Sequence, residues 1–368
     1  MAVLVTGGAG YIGSHMVNEL IDLGETVIVV DDLSTGVKWL VPDSVPLFIG
    51  RVGDMQLISA IIDAFHVESI LHFAAAIVVP DSVKNPFLYY ENNTSESRTL
   101  FATAVDHGVK HIVFSSSAAV YGNPATSPVT EAAELRPVSP YGSSKLMTEI
   151  MLRDADRAHG LRYVALRYFN VAGADPLRRT GQSGHNATHI IKVAVQAALG
   201  LRDGVCLFGS DYATPDGTCV RDYVHVTDLV RAHAAALNHL RQGGESIALN
   251  CGYGHGFSVL EVIEAVRRVS GVQFPVRMAA RRPGDPAELV ASNVHIKAVL
   301  DWAPMYDDLD QIVAHALTWE ETLLHKAKQM PPKTSASDLH TPPRRTPIGS
   351  ALMGVPIQPQ GVAASAPT

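Results

Sequence analysis

The sequence predicts an α/β fold, with a doubly wound parallel sheet followed by a smaller C-terminal lobe. Up to about residue 170, short apolar runs alternate with amphipathic helical patterns, which is typical of parallel strands connected by helices. A glycine-rich turn directly follows the first apolar run. Beyond residue 170, loops rich in Gly, Pro, Asp and Asn interrupt the alternation at 173–186 and 209–218. We therefore expect the lobe to be assembled from separate C-terminal segments.

Each predicted strand is a short apolar or β-branched run, and each predicted helix carries apolar residues at helical spacing. The predicted strands are residues 2–6, 26–31, 46–49, 69–73, 111–115 and 162–167. The helical patterns lie at residues 12–23, 55–65, 88–107 and 141–159. After the loops, the sequence predicts helices at 224–242 and 258–270, and a strand at 245–251 that returns to the sheet.

The first fifteen residues read as a strand, a glycine-rich turn and the start of a helix. Gly7 permits the tight turn, Gly10 lets the backbone approach phosphate groups, and Gly13 lets the helix pack closely on the strand. The helix N-terminus directs free N–H groups and the positive end of its dipole at the anion. This order of elements predicts a Rossmann-like domain that binds a dinucleotide.

Acidic residues follow the second strand and the turn after the third. Asp31 lies 18 residues after Gly13 and is followed by Asp32. A carboxylate at this place accepts hydrogen bonds from the adenosine ribose and repels a 2′-phosphate, which favours NAD over NADP. Asp54 has two interpretations, a contact to the adenine or an N-cap for the helix that begins at residue 55.

Small residues end the fourth predicted strand. The sequence His72-Phe-Ala-Ala75 leaves room for a cofactor at the carboxyl edge of the sheet. We expect His72 itself to be a packing residue rather than a ligand.

A tyrosine and a lysine share one face of the helix that starts near residue 141. The i, i+4 spacing of Tyr141 and Lys145 places the phenol and the ammonium together. A neighbouring cation, joined by a cationic nicotinamide, would lower the pKa of the tyrosine. Ser117 follows the preceding buried strand, so the three residues predict hydride transfer at a carbinol carbon. Tyr141 would take the hydroxyl proton, and Ser117 would bond the same oxygen.

The composition is that of a globular protein and excludes several classes. The formal net charge is −7, and the sequence has no basic footprint for nucleic acid. No apolar run approaches the roughly 20 residues of a membrane helix, and the N-terminal strand lacks the features of a signal peptide. Cys206, Cys219 and Cys251 form no C-x-x-C pair, and the 16 histidines show no metal-ligand spacing. We expect reduced thiols, no metal, no membrane and a cytoplasmic location.

Eight motifs give residues 1 to about 325 a resemblance to the UDP-glucose (UDP-galactose) 4-epimerases. This group belongs to the extended short-chain dehydrogenase/reductase family. The motifs are Thr6–His15, His72–Ala75, Tyr89–Asn93, Ser115–Gly122, Ser139–Lys145, Leu166–Asn170, Val220–Val226 and Arg281–Asp285.

The resemblance implies an isomerase of galactose and nucleotide-sugar metabolism that keeps its NAD and interconverts UDP-glucose and UDP-galactose. In this family the C4 hydride of the sugar is removed, the 4-keto intermediate turns about its diphosphate, and the hydride returns to the other face. By correspondence with the family motifs, Ser117, Tyr141 and Lys145 are the catalytic residues.

The motifs and the resemblance together assign the cofactor site. Asn93 and Ser115 are expected near the nicotinamide, and Tyr168 near its amide. The residues expected to bind NAD are Gly7, Gly10, Tyr11, Ile12, Gly13, Asp31, Asp32, Asp54, Met55, Phe73, Ala74, Ala75, Asn93, Ser115, Tyr141, Lys145 and Tyr168.

The resemblance also implies a site for the UDP-sugar. Asn170, Arg221 and Arg282 are expected to hold the diphosphate, with Asp285 on the ribose side and Phe208 at the uracil. Guanidinium groups bind diphosphate oxygens in bidentate fashion, which is a physical reason, independent of the resemblance, to expect the two arginines at the diphosphate. The residues expected to bind substrate are Ser117, Tyr141, Asn170, Thr188, His189, Phe208, Arg221, Arg282, Asp285 and Leu289.

Three places depart from the family pattern. Ile77 stands where many members have a lysine that contacts the cofactor. Thr188-His189 stands where an asparagine pair often touches the diphosphate. Leu289 stands at the position that gates N-acetylhexosamines, and its intermediate size leaves N-acetyl substrates open.

Related activities can be compared on the same residues. Sugar 4,6-dehydratases carry an Asp-Glu pair where this chain has Ala118-Ala119, so the elimination step would lack its acid and base. A 4-epimerase of UDP-pentoses or UDP-N-acetylhexosamines shares the mechanism and stays an alternative. A UDP-glucuronate epimerase would need a site for the extra carboxylate, which the sequence does not reveal. A non-catalytic NAD-binding protein is disfavoured because Tyr141 and Lys145 are both present.

The predicted domain organisation has three parts. Residues 1–170 form the NAD-binding domain, with returning segments near 224–251 and 292–325. Residues 171–325 form mainly the substrate-binding lobe. Residues 330–368 are rich in Pro, Ser, Thr and Ala and bury too little to repay their ordering entropy, so we expect this tail to be disordered.

Members of the family usually form homodimers through the helices that correspond to 88–107 and 141–159. We expect a homodimer here too. The side chains expected on the exposed faces are Leu88, Leu100, Met147 and Met151.

Overall fold

The strands of the protein are short, and those in the first half of the chain alternate with helices. The computed structural model describes residues 2–184, 188–282 and 285–329. Its strands are β1 (Ala2–Thr6), β2 (Thr26–Asp31), β3 (Leu47–Ile49), β4 (Val67–His72), β5 (His111–Ser115), β6 (Arg162–Tyr168), β7 (Asn170–Ala172), β8 (Val205–Phe208), β9 (Val220–Arg221), β10 (Tyr223–His225), β11 (Ile247–Cys251), β12 (Phe257–Ser258), β13 (Val276–Ala279) and β14 (Glu288–Leu289).

The helices vary from one turn to more than five. They are α1 (Tyr11–Asp22), α2 (Met55–Phe65), α3 (Val79–Lys84), α4 (Pro86–Tyr89), α5 (Glu96–Asp106), α6 (Pro140–His159), α7 (Ile190–Ala198), α8 (Val226–Arg241), α9 (Val259–Ser270), α10 (Val294–Leu300) and α11 (Leu309–Gln329). A π-helical turn, Tyr90–Ser95, joins α4 to α5.

Seven strands form the central sheet, and all of their pairings are parallel. Their order is β11-β6-β5-β4-β1-β2-β3. Because parallel strands end at the same edge, Thr6, His72 and Ser115 lie along one side of the sheet. The segment predicted to return to the sheet does so as β11, beside β6.

Side chains of β1 alternate between two apolar cores, one on each face of the sheet. Val3 and Val5 belong to the core that includes residues of α1 and α8. Leu4 belongs to the other core, with Ile58 of α2 and Ile70 of β4. Burial on both faces explains why these strands read as nearly continuous apolar runs.

The strands and helices predicted for the first half of the chain are confirmed, with ends that match or are shifted by one or two residues. The predicted helix 88–107 is a helical stretch that includes the π-helical turn Tyr90–Ser95. α7 was not predicted, because its Ile and Val residues resemble a strand pattern as much as a helical one.

Strands that come after β6 in the sequence, other than β11, form small sheets. β7 pairs with β10, β8 pairs with β13, and β9 lies between β12 and β14.

The predicted domain boundary at residue 170 stays a prediction. No helix within the described ranges is long and apolar enough to cross a membrane. The tail at 330–368 lies outside the described residues.

One of the side chains predicted on an exposed helix face is buried instead. Leu100 of α5 has no exposed surface and packs in the same core as Ile58 and Ile61 of α2. Leu88 and Met147 are exposed as expected, at 49% and 43%, and Met151 is half-buried. The prediction for Leu100 was wrong because α5 turns this residue toward α2 rather than toward solvent.

Leu100→Ala is expected to lower the free energy of unfolding by about 2–5 kcal/mol, since it leaves a cavity in a closed core. The matched variant Leu88→Ala, on a half-exposed leucine, should change it by less than about 1 kcal/mol. Urea unfolding followed by circular dichroism measures both. Equal losses from the two variants would contradict the burial difference.

Candidate active site

The glycine-rich turn joins β1, α1 and the end of β4 in close contact. Gly7 has a φ of +71°, and a Cβ at this position would lie 2.7 Å from the backbone nitrogen of Ala74. A Cβ at Gly13 would overlap the carbonyl oxygen of Gly7. Glycine is therefore required at both positions by space, and at Gly7 also by backbone conformation.

The first turn of α1 presents backbone N–H groups without a side-chain cap. Gly10 occupies the N-cap position and has no side chain that could satisfy them. The hydroxyl of Tyr11 donates to the carbonyl oxygen of Gly173 at 2.7 Å, and Ile12 packs against the core that contains α8. Uncapped N–H groups at a helix N-terminus suit a diphosphate.

The carboxylate of Asp31 is buried at the end of β2. Its oxygens accept hydrogen bonds from the backbone nitrogens of Ala9 at 2.9 Å and Leu33 at 2.8 Å. Burial raises the pKa of Asp31, against the lowering effect of those two bonds. Each carboxylate oxygen has lone pairs left for a ribose hydroxyl. Asp32 is exposed and accepts from the backbone nitrogen and the hydroxyl of Ser34.

Of the two interpretations of Asp54, the N-cap is observed. Its Oδ1 accepts from the backbone nitrogen of Leu57 at 3.1 Å, in the first turn of α2. Met55, the first residue of that helix, is 56% exposed. A contact of either residue to an adenine stays a prediction.

The end of β4 is held by buried polar contacts. His72 Nδ1 lies 2.7 Å from the hydroxyl of Thr6, and its Nε2 lies 2.9 Å from the hydroxyl of Ser97. Burial lowers the pKa of His72 to about 3, so it is a neutral packing residue, as predicted. Phe73, Ala74 and Ala75 follow and are half-buried, which leaves small side chains beside the glycine turn; Phe73 packs on His233, with ring centroids 4.8 Å apart.

Asn93 ties the loop after β4 to α6. Its amide accepts from the backbone nitrogen of Ala76 at 2.8 Å and donates to the carbonyl oxygen of Ala76 at 3.0 Å. It also donates to the hydroxyl of Ser144 at 3.0 Å. The structure thus gives Asn93 a local structural role, and its predicted place near the nicotinamide stays a prediction.

Ser117, Tyr141 and Lys145 meet at the carboxyl edge of β5. Ser139 caps α6 by accepting from the backbone nitrogen of Gly142, which sets the start of the helix that carries the tyrosine and the lysine. The side chain of Ser117 lies close enough to the phenol of Tyr141 to act on the pKa of that phenol. Lys145 Nζ donates to the carbonyl oxygen of Ser115 at 2.8 Å.

Tyr168 of β6 completes this group, since its hydroxyl lies 2.7 Å from the hydroxyl of Ser115. Ser115, Tyr141 and Lys145 are buried, and Ser117 and Tyr168 are half-buried. The predicted catalytic residues are therefore gathered at the end of β5, on the same edge of the sheet as the small residues that follow β4 and the glycine turn that follows β1.

That Lys145, joined by a cationic nicotinamide, lowers the pKa of Tyr141 stays a prediction, and the protein's own groups act in the opposite direction. Burial raises the pKa of Tyr141, and the nearby Ser117 side chain opposes that rise. Burial lowers the pKa of Lys145 to about 7, against the attraction of Glu149. The lysine ammonium is directed at Ser115 and lies 6.0 Å from the centroid of the tyrosine ring. Among the protein's own groups, burial therefore outweighs the lowering effect of Ser117 on the pKa of this phenol.

A buried ion pair supports the catalytic residues and was not predicted. Glu149 lies one helical turn after Lys145, and its Oε2 accepts from Arg167 Nη2 at 2.6 Å. The hydroxyl of Ser116 donates to its Oε1 at 2.5 Å. Arg167 Nη1 also donates to the hydroxyl of Tyr121 at 3.0 Å. The sequence signal was Arg167, a second arginine in β6 that directly follows the apolar run Val164-Ala-Leu166.

The small sheets bring part of the predicted substrate site together. Asn170 lies at the start of β7, and its backbone nitrogen donates to the carbonyl oxygen of Asp222. Arg221 of β9 pairs in register with Leu289 of β14. Its Nη2 lies 3.4 Å from Oδ1 of Asp285. Leu289 packs on the cluster that contains Ala118 and Phe169, the neighbours of Ser117 and Asn170 in sequence.

The remaining predicted substrate residues lie on loops or strand ends. The guanidinium of Arg282 lies 4.0 Å from the centroid of the Phe208 ring. Arg281 forms a salt bridge with Asp211 at the protein surface. Thr188 and His189 are exposed before α7, and within the described residues no hydrogen bond or ion pair joins them to Arg221 or Arg282.

Four features of the site fit a dinucleotide. A glycine-rich turn follows β1, an uncapped helix N-terminus follows that turn, a buried carboxylate ends β2, and small residues follow β4. Groups of His, Cys, Asp or Glu suited to a metal are absent from the described ranges. Fold and site together define a dinucleotide-dependent enzyme of the α/β class.

Comparison with known proteins identifies the family. Residues 3–252 match the NAD dependent epimerase/dehydratase family. A UDP-glucose 4-epimerase of Azospirillum brasilense is 54% identical over 321 residues, which cover 87% of this chain and 92% of that protein. The chain therefore belongs to the NAD dependent epimerase/dehydratase family, and its cofactor is NAD.

Solved structures agree in fold and in the kind of protein. The UDP-glucose 4-epimerase of Brucella ovis in complex with NAD superposes with a TM-score of 0.84 at 41% identity, covering 86% of this chain and 97% of that chain. The UDP-Glc/GlcNAc 4-epimerase of Campylobacter jejuni superposes with a TM-score of 0.77 at 45% identity, covering 87% and 99%.

Glu149→Ala should lower the free energy of unfolding by about 3–5 kcal/mol, because it leaves Arg167 charged, buried and unpaired. The matched control is Glu264→Ala, whose carboxylate is 56% exposed and 2.7 Å from Arg267. That exposed pair should contribute less than about 1 kcal/mol. Urea denaturation of both variants compares the two values, and a small loss for Glu149→Ala would contradict the buried pair.

Proposed function

We propose that the protein interconverts UDP-glucose and UDP-galactose by inverting C4 of the sugar with a retained NAD. The observation that carries the proposal is the meeting of Ser117, Tyr141 and Lys145 at the end of β5, on the same edge of the sheet as the glycine-rich turn. Relatives with this activity in their names share about half of the sequence over most of their length.

The reaction needs a group that takes and returns the proton of the C4 hydroxyl. Tyr141 fills this role, with Ser117 hydrogen-bonded to the same sugar oxygen. Hydride transfer from C4, and back to the other face of the 4-keto sugar, is the chemistry that a bound NAD would supply. Lys145 would hold the nicotinamide ribose. Burial of Tyr141 and Lys145 keeps bulk water from the reacting carbon.

The UDP portion would be held by the small sheets. Arg221 and Arg282 supply guanidinium groups for the diphosphate, with Asn170 at the start of β7. Phe208 would face the uracil and Asp285 the ribose. Since Arg221 now pairs with Asp285, and Arg282 covers Phe208, these side chains would exchange protein contacts for substrate contacts on binding.

The sugar substituent stays the open part of the proposal. Leu289 is half-buried against the cluster of Ala118 and Phe169, beside Arg221, where it would limit the space around the sugar. A 4-epimerase of UDP-N-acetylhexosamines is the alternative that the Campylobacter relative favours. UDP-pentoses, which lack the C6 group, are the other alternative.

Purified protein given UDP-galactose, without added NAD, is expected to form UDP-glucose. Tyr141→Phe should lower kcat by about 10²–10⁴-fold, because the phenol that moves the proton is lost. It should still retain NAD, measured by absorbance after denaturation. Tyr163→Phe, at the opposite end of β6, is the matched control and should keep wild-type activity.

A wild-type protein that holds NAD but forms no UDP-glucose would contradict the hexose assignment. UDP-arabinose and UDP-N-acetylglucosamine would then be assayed under the same conditions. Activity on neither, with NAD bound, would favour a non-catalytic NAD-binding protein.

We further propose a homodimer that is assembled through α5 and α6 and located in the cytoplasm. A groove between these helices is lined by Phe101, Val105, Met151 and Ala155, and Leu88 and Met147 are exposed nearby in sequence. The cytoplasmic location is supported by Cys206, Cys219 and Cys251, which are all free thiols.

Sedimentation at micromolar concentration should give twice the mass of the 39.4 kDa chain. Ala102→Arg, which places a charge in the groove, should shift the protein toward the monomer. Leu201→Arg introduces the same charge on an exposed leucine after α7 and should leave the dimer intact. A monomeric wild-type protein would contradict the proposal.

A further inference from the structure

The segment 32–41 packs directly on two parts of the cofactor site. The backbone nitrogen of Val37 donates to the carbonyl oxygen of Ala9, in the glycine-rich turn, at 2.9 Å. Gly36 lies so close that a Cβ there would be 2.5 Å from Oδ1 of Asp31. The segment therefore covers both the turn that suits the diphosphate and the carboxylate that suits the adenosine ribose.

The end of segment 32–41 that is farther from Asp31 contacts helix α11. Trp39 stacks on Trp319 of α11, with ring centroids 5.9 Å apart and an angle of 27° between the rings. Lys326, two turns further along α11, places its ammonium 3.8 Å from the centroid of the Trp39 ring. Leu40 is buried in a small cluster with Trp319 and Ala174. Trp39 itself is 41% exposed, whereas Trp319 is 2% exposed.

α11 is fixed in place by contacts that do not involve this segment. Glu320 forms a buried ion pair with Lys192 of α7 and accepts from Gln196 Nε2 at 3.1 Å. His315 Nδ1 lies 3.0 Å from Nε2 of His225, at the start of α8. The exposed fractions of both side chains in the ion pair are 5%. Trp319 is thus a rigid platform for Trp39.

We propose that Trp39, Trp319 and Lys326 are positioning residues that hold segment 32–41 over the adenosine half of NAD and so set the rate at which the cofactor leaves. Release of an enclosed ligand requires its covering segment to move, and the contacts to α11 oppose that movement. The inference depends on NAD as the cofactor and not on the identity of the sugar.

The test is the exchange of bound NAD in the holoenzyme against excess radiolabelled NAD, separated by gel filtration at set times. Trp39→Ala is expected to exchange about tenfold faster, because it removes both the ring stack and the cation–π contact. Its side chain is partly exposed, so the change leaves no closed cavity. Lys326→Ala should exchange about threefold faster. Lys328→Ala, at an exposed lysine two residues on, should exchange at the wild-type rate.

Two comparisons separate this role from a general loss of stability. Lys326→Ala should add nothing in the Trp39→Ala background, because the ammonium acts through that ring. Leu100→Ala, which weakens the core on the far side of the sheet, should keep the wild-type exchange rate. The proposal is overturned if Trp39→Ala exchanges like wild type, if the two changes are additive, or if Leu100→Ala accelerates exchange equally.

The exchange assay contains no sugar nucleotide, so its outcome is independent of the epimerase assay. Inactivity toward UDP-galactose together with accelerated exchange in Trp39→Ala would reject the proposed substrate and keep the role of α11. Activity toward UDP-galactose together with unchanged exchange in Trp39→Ala would keep the proposed substrate and reject the role of α11.

Discussion

The burial of Lys145 beside Tyr141 is the constraint on which the catalytic edge depends. Polar groups withdrawn from water need protein partners, since an unpaired one costs several kcal/mol, roughly 2–7 by transfer measurements. Lys145 is bonded to the carbonyl oxygen of Ser115, Ser115 is bonded to Tyr168, and Asn93 links the loop after β4 to α6. The edge is therefore a layer of mutually bonded polar groups, and its geometry is fixed before any substrate arrives.

The part of the chain that follows the sheet meets a different demand. Arg282 is exposed and Arg221 is half-buried, and each is engaged with a neighbour that it can exchange for a ligand. The short strand β9 positions Arg221 without enclosing it, and Arg282 lies outside the strands. A rigid, dry edge for the chemistry and an open surface for the diphosphate suit a reaction whose intermediate has to turn within the site.

The first half of the fold could be predicted from the sequence because local signals and long-range packing agree there. β1, the glycine turn and α1 are specified by adjacent residues, and Tyr141 and Lys145 are specified by helical spacing. Glu149 lies on α6, and its partner Arg167 lies 18 residues away on β6, so nothing in local periodicity links the two. The orientation of Leu100 likewise depends on how α5 is rotated against α2, which tertiary packing decides.

The contact between Trp39 and Trp319 has a consequence for biosynthesis. The two residues are 280 positions apart in the chain (319 − 39), so at about 5–20 residues per second the ribosome needs roughly 14–56 seconds to make the second after the first. During that interval β1, the glycine turn and Asp31 are already outside or near the exit tunnel, while the platform for segment 32–41 does not yet exist. On the proposed role of α11, a nascent chain could take up NAD through an open site, and completion of α11 would then slow the release of the cofactor.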